Sequence, residues 1–291
     1  IYSYNDMKAL RELYDAWSNA HLIGNSFADI NDTELAAMET VYNKLVALET
    51  EFSTLKTAKK AETDTVKGLL NNLNKVVVLG DKAEIEAART AYNAWLNGTN
   101  DKTKIDASKT FTDEAGYKCY EITDAELAFL TAAENNLTAL NDAKAKAQNS
   151  IRQLDLLAAP GSGMSAEVIA AYKNLLNEAK ANATAFNDMG ADKLSDDEMR
   201  VITKAEFYYG RYETAQLIQI AYEKACLDNK LKSNYESVLK KEFDKALDKY
   251  LGQVYDDTLL TQYYTDNTVL NTIYNSMVAE LAAIVASNPE T

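Results

Sequence analysis

Apolar residues recur at helical spacing through most of this chain. From residue 35 they fall at Leu35, Met38, Tyr42, Leu45, Leu48, Phe52 and Leu55, steps of three and four that keep one face apolar, as in a coiled-coil seam. A second run offers Leu127, Leu130, Leu137, Leu140, Ile151 and Leu154. Each run predicts a long helix with one apolar stripe. A shorter helix is predicted upstream of each long one, in ALRELYDAW (9–17), AARTAYNAW (87–95) and VIAAYKNL (168–175). Tyr14, Tyr92 and Tyr172 in these segments stand 78 and 80 residues apart, which predicts a repeated unit of about eighty residues. Trp17 and Trp95 share one position in this alignment, and Leu175 takes it in the third copy. That substitution reads as a buried packing site.

The starts of the long helices are written in the same way three times. INDTEL (30–35), ITDAEL (122–127) and LSDDEM (194–199) align without gaps. Asn31, Thr123 and Ser195 are placed to accept from free backbone N–H groups of the first turn, while Glu34, Glu126 and Glu198 reach back to the cap. The apolar pairs Ile30/Leu35, Ile122/Leu127 and Leu194/Met199 fit a hydrophobic staple. A fainter fourth copy begins near YESVLKKEFDKALDKYL (235–251). It continues to YTDNTV (264–269), where Thr265 is the expected cap between Tyr264 and Val269. The predicted fold is all-α, an elongated array of three-helix-bundle or coiled-coil-like repeats joined by long shared helices. Its units are 1–80, 81–160, 161–230 and a degenerate 231–291. The second unit carries an insertion at 98–121, where KTFTDEAGYKCYE alternates as a small β-hairpin would.

Composition supports helices: 10 Gly and 2 Pro in 291 residues leave little for the turns of a sheet protein. No apolar run approaches the roughly 20 residues that cross a bilayer. The net charge of -14 argues against nucleic acid and anionic lipid as partners. Cys119 and Cys226 form no CxxC pair, and either free thiols or one long-range disulfide fits them.

Chemistry is sparse. The single histidine, His21, would have to serve any His-dependent triad, and nothing around it in sequence suggests one. One histidine and two distant cysteines do not supply zinc-ligand spacing. The acidic stretches 101–114 and 187–198 do not follow the EF-hand order, and PGSG (160–163) lacks the ending of a phosphate loop. No cofactor is expected and no enzyme; an unrecognised cleft of carboxylates among the 44 Asp and Glu is the only enzymatic alternative. The 18 tyrosines are the remaining signal, since a ring with a polar tip suits helix seams and protein interfaces alike. Phe111, Tyr117 and Tyr120 in the insertion are the first candidate partner-binding residues, and Tyr208, Tyr209 and Tyr212 the second. Adjacent Tyr208 and Tyr209 do not share one seam, so at least one of them is expected at the surface.

AARTAYNAWLNG, followed after a loop by ITDAELAFLTAAENNL with its LTAAE at 130–134, resembles the tandem helical repeats of large Gram-positive surface proteins. Residues 82–157 carry most of this resemblance. The resemblance implies a non-enzymatic, secreted or wall-associated segment of a longer chain, in the company of S-layer proteins, adhesins and superantigen-like immunoglobulin binders. It implies a host protein as partner, immunoglobulin being the concrete candidate. The alternative it leaves open is a structural spacer or S-layer-like element.

Overall fold

The structure, a computed structural model, describes residues 4–22, 32–97, 122–161, 163–228, 240–245, 248 and 257–287. It is all-α, with no strand among the described residues. The helices are α1 (Tyr4–Leu22), α2 (Asp32–Asn72), α3 (Lys82–Asn97), α4 (Asp124–Asp155), α5 (Ala166–Asp188), α6 (Asp196–Asp228), α7 (Asp257–Thr265) and α8 (Val269–Ala286). Residues 240–245 are also helical. The hairpin expected at 98–121 lies outside the described residues, as does the first cap, Asn31.

The two later caps form as read. At α4, the Glu126 backbone N–H donates to Thr123 Oγ1 at 3.2 Å and the Thr123 N–H donates to Glu126 Oε2 at 2.7 Å. At α6, Glu198 N–H donates to Ser195 Oγ at 3.3 Å and Ser195 N–H to Glu198 Oε2 at 2.8 Å. Ile122 and Leu194, the first members of the staples, are buried. Each glutamate has a second partner on an earlier long helix: Lys67 of α2 stands 3.6 Å from Glu126, and Gln148 of α4 donates to Glu198 at 2.7 Å. The fourth cap is corrected. Thr265 is the last residue of α7, its hydroxyl donating back to Gln262 O at 2.9 Å, and the residue preceding α8 is Thr268. Asp266 Oδ1 accepts from Thr268 N–H at 2.9 Å, so an aspartate turn delays the helix by three residues.

The chain divides into two compact units, Ile1–Ala139 and Leu140–Thr291. In the first, α1 packs on the early part of α2 and α3 on its later part. Arg11 Nε donates to Glu49 at 2.6 Å, and the rings of Tyr14 and Tyr42 lie 5.2 Å apart. Arg89 of α3 grips Glu134 of α4 through Nε and Nη2, both at 2.6 Å. Trp95 is 2% exposed in the seam of α3 with α2. Its indole N–H donates to Thr63 Oγ1 at 2.9 Å, and Lys59 Nζ donates to the Trp95 carbonyl at 2.7 Å while standing 4.3 Å from the ring. The site is therefore more particular than an apolar slot. Leu175 is not its counterpart, for Leu175 is half-buried and the next residue, Leu176, fills the seam.

In the second unit, Ile151 and Leu154 of α4 are buried with Ile169, Tyr172, Leu176 and Phe186 of α5. Phe207, Ile218 and Tyr222 of α6 join Phe243 and the α8 stripe Leu270, Ile273, Met277 and Leu281 in one core cluster. Gly210 makes close approach possible, since a Cβ there would stand 2.8 Å from Leu270 Cδ1. By length and composition α8 is apolar enough to cross a membrane. Its buried side chains are Leu270, Ile273, Met277 and Leu281, which share the core cluster with α6, and its exposed residues include Asn271, Thr272, Asn275, Ser276 and Glu280.

Candidate functional site

The tyrosines of α6 occupy different environments because α6 is covered from more than one side. Tyr208 is buried, its ring 5.7 Å from Phe207, with Lys204 Nζ at 5.9 Å and the Arg211 guanidinium at 5.8 Å from its centroid. Tyr209 turns to the α5 side and is half-buried. It stacks on Tyr172 at 6.4 Å, with an interplanar angle of 12°, and lies 6.5 Å from the half-buried Tyr212. Tyr172 in turn directs its hydroxyl at Ala205 O at 3.5 Å. The result is a short ladder of rings running from the α5–α6 seam toward the surface.

Charge is set around the ladder. Lys173 Nζ stands 5.2 Å from the Tyr209 ring centroid and 3.5 Å from Glu213. Burial pushes the Tyr209 phenol above its ordinary range and Glu213 reinforces this, while Lys173 opposes it. The Lys173 ammonium is raised as well, by Tyr209 first and then by Glu213. At neutral pH Tyr209 is therefore a neutral phenol and Lys173 a cation, and the ladder sets that phenol beside the Lys173–Glu213 pair.

Behind the ladder a cleft of about 440 Å³ opens between the end of α4, the middle of α6 and the start of α7. Leu154, Leu157 and Leu260 wall it, Tyr172 and Tyr208 contribute aromatic surface, and Asp155, Lys204 and Asp257 bring both signs of charge. No group of three or more His, Cys, Asp or Glu side chains is placed to hold a metal ion among the described residues. Cys226 is half-buried on α6.

Of the six residues singled out in the sequence, the structure brings Tyr209 and Tyr212 together, both half-buried, and puts Tyr208 in the core. Phe111, Tyr117 and Tyr120 lie outside the described residues. Three features were missed. The arginine three residues before a tyrosine binds the following long helix in both places where R-x-x-Y-x-A-W occurs, residues 11–17 and 89–95. The recurrence of Arg11 and Arg89 was the available signal. The Lys59, Thr63 and Trp95 constellation had none, because its members are separated by an interhelical turn. The third is an apolar stripe on α6, Leu217, Ile220 and Leu227, whose side chains remain 52%, 58% and 79% exposed.

Comparison with protein-family models, with curated proteins and with solved structures finds no match to the chain.

Proposed function

We propose that this chain is a non-enzymatic helical recognition module, displayed on a Gram-positive cell surface as part of a longer secreted or wall-associated protein, that binds a host protein. Immunoglobulin is the partner to test first. The observation that carries this reading is the Tyr172–Tyr209–Tyr212 ladder with its Lys173–Glu213 pair, an aromatic surface held in place by two packed helices. The helices form repeated units joined by long shared helices, a reading supported by the recurring Arg-to-Glu ties and capping boxes. The insertion at 98–121 offers a second contact through Phe111, Tyr117 and Tyr120. Immobilised chain exposed to purified immunoglobulins G, A and M is expected to retain at least one class at micromolar concentration. Tyr212→Ala should weaken that retention about tenfold, the cost of one interface anchor. Failure to retain any class sinks the immunoglobulin assignment.

A structural spacer is the second reading, favoured by the same recurring ties, because they join helix to helix. It predicts that deleting residues 100–116 changes no binding property and that binding to purified cell wall persists without host protein.

A further inference from the structure

The exposed stripe on α6 is a helix face whose earlier part already has an occupant. Glu206, Tyr209 and Glu213 mark that earlier part, and α5 lies on it: Tyr172 stacks on Tyr209, Lys173 pairs with Glu213 at 3.5 Å and Lys180 pairs with Glu206. The chemistry of the seated helix is plain. It contributes an apolar seam, Ile169, Tyr172, Leu176 and Ala179, edged by two lysines that meet two α6 carboxylates. Beyond Glu213 the same helix continues for about four turns to Asp228. There Leu217, Ile220 and Leu227 follow Glu213 at helical spacing, and all three are exposed. Glu223 and Lys224 follow Ile220 on this stretch, both exposed, and the Glu223 carboxylate accepts from Gln219 of its own helix at 3.0 Å.

We propose that this continuation is the docking surface for an amphipathic helix of a partner protein, with an apolar stripe edged by Lys or Arg. The inference goes beyond the immunoglobulin reading and does not need it. Two observations select the occupant. The face continues an established helix–helix interface whose occupant carries the same Lys-edged apolar pattern, and helix-in-groove recognition reuses such faces. The chain carries a net charge of -14, which attracts a basic helix and disfavours a second copy of itself. Leu217 and Ile220 would seat the apolar stripe, and Glu223 would take the flanking cation as Glu213 takes Lys173.

The test uses the full chain and a synthetic helical peptide of leucine and lysine, about five turns long, with its leucines on one face. A scrambled peptide of the same composition is the control. Calorimetric titration is expected to show at least about tenfold tighter binding of the ordered peptide than the scrambled one. The triple variant Leu217→Ser/Ile220→Ser/Leu227→Ser should lose that difference while its helical circular dichroism stays unchanged, as befits exposed positions. Glu223→Gln should weaken binding and flatten its salt dependence. Equal affinity for both peptides, undiminished binding by the triple variant, or no binding at all overturns the proposal. So does concentration-dependent dimerisation of the chain alone that the triple variant abolishes.

Discussion

The end of α3 shows how much depends on single polar atoms in this fold. Thr63 is fully buried, and its hydroxyl both donates to Lys59 O and accepts from the Trp95 indole, each at 2.9 Å. Replacing it by valine keeps the shape and removes both bonds, leaving a buried indole N–H without its acceptor. Thr63→Val is therefore expected to cost about 1–3 kcal/mol in urea unfolding, more than its lost methyl-for-hydroxyl exchange alone. An unchanged midpoint would show that the indole finds another acceptor. At this scale the sequence disclosed types better than partners. The burial of Trp95 was read from the repeat position it shares with Trp17, although Leu175 does not fill that position in the third copy; its hydrogen bond was not legible, because Thr63 and Lys59 lie on α2, before the turn into α3. Tyr208 and Tyr209 were separable by helical geometry, since adjacent residues point about 100° apart. Which of them would be buried depended on α5 and the C-terminal helices, whose packing no local pattern specifies. Arg89 was legible through its twin Arg11, and its glutamate was not, because 45 residues and an insertion separate the partners.

At the level of helices, glycine gives a paired test. Gly68 lies inside α2 with open space around a Cβ, whereas a Cβ at Gly210 of α6 meets Leu270 at 2.8 Å. Gly68→Ala should raise stability by about 0.5–1 kcal/mol through helix propensity. Gly210→Ala should lose that gain, because the buried Leu270 must shift, and Gly210→Ala/Leu270→Ala should show non-additive coupling in a double-mutant cycle. The capping boxes give a pH test. Partial burial alone would raise the Glu126 and Glu198 carboxyls, yet hydrogen bonds from Thr123, and from Ser195 with Gln148, hold both below the usual carboxylate range. Groups depressed in the folded state contribute stability that is present above their unfolded pKa and lost as pH falls through the folded one. Unfolding free energy should therefore fall from about pH 5 to about pH 3, and Glu126→Gln/Glu198→Gln should make that fall shallower. An identical slope in the variant would remove the boxes from the acid response. These helix starts were legible because capping is a local code of four residues. Thr265 was misplaced because its copy of the code lacks the glutamate, Thr268 standing in its place; Asp266 takes the Thr268 N–H, and α8 begins after Thr268, whose side chain makes no cap hydrogen bond.

For the molecule as a whole, the eighty-residue periodicity and the division into two compact units divide the chain differently. Periodicity follows sequence, while compactness follows which side chains share a core, and the boundary between Ala139 and Leu140 falls inside α4. A helix that lends residues to two cores erases the linker that composition analysis looks for. The distribution of fluorophores makes the division measurable. Both tryptophans, Trp17 and Trp95, belong to the first unit, and Phe186, almost fully buried, belongs to the second. Truncating Phe186 to alanine removes a large side chain from a packed interior, at a cost of about 3–5 kcal/mol. If each unit is held by its own core, Phe186→Ala should move part of the helical circular dichroism transition to lower urea and leave the tryptophan fluorescence transition where it was. In the wild type the two probes should then fail to coincide, the signature of more than one cooperative unit. A fluorescence midpoint that moves together with the dichroism would instead mean that α4 couples the two cores into one transition, and a partner bound by either unit would then stabilise the whole chain.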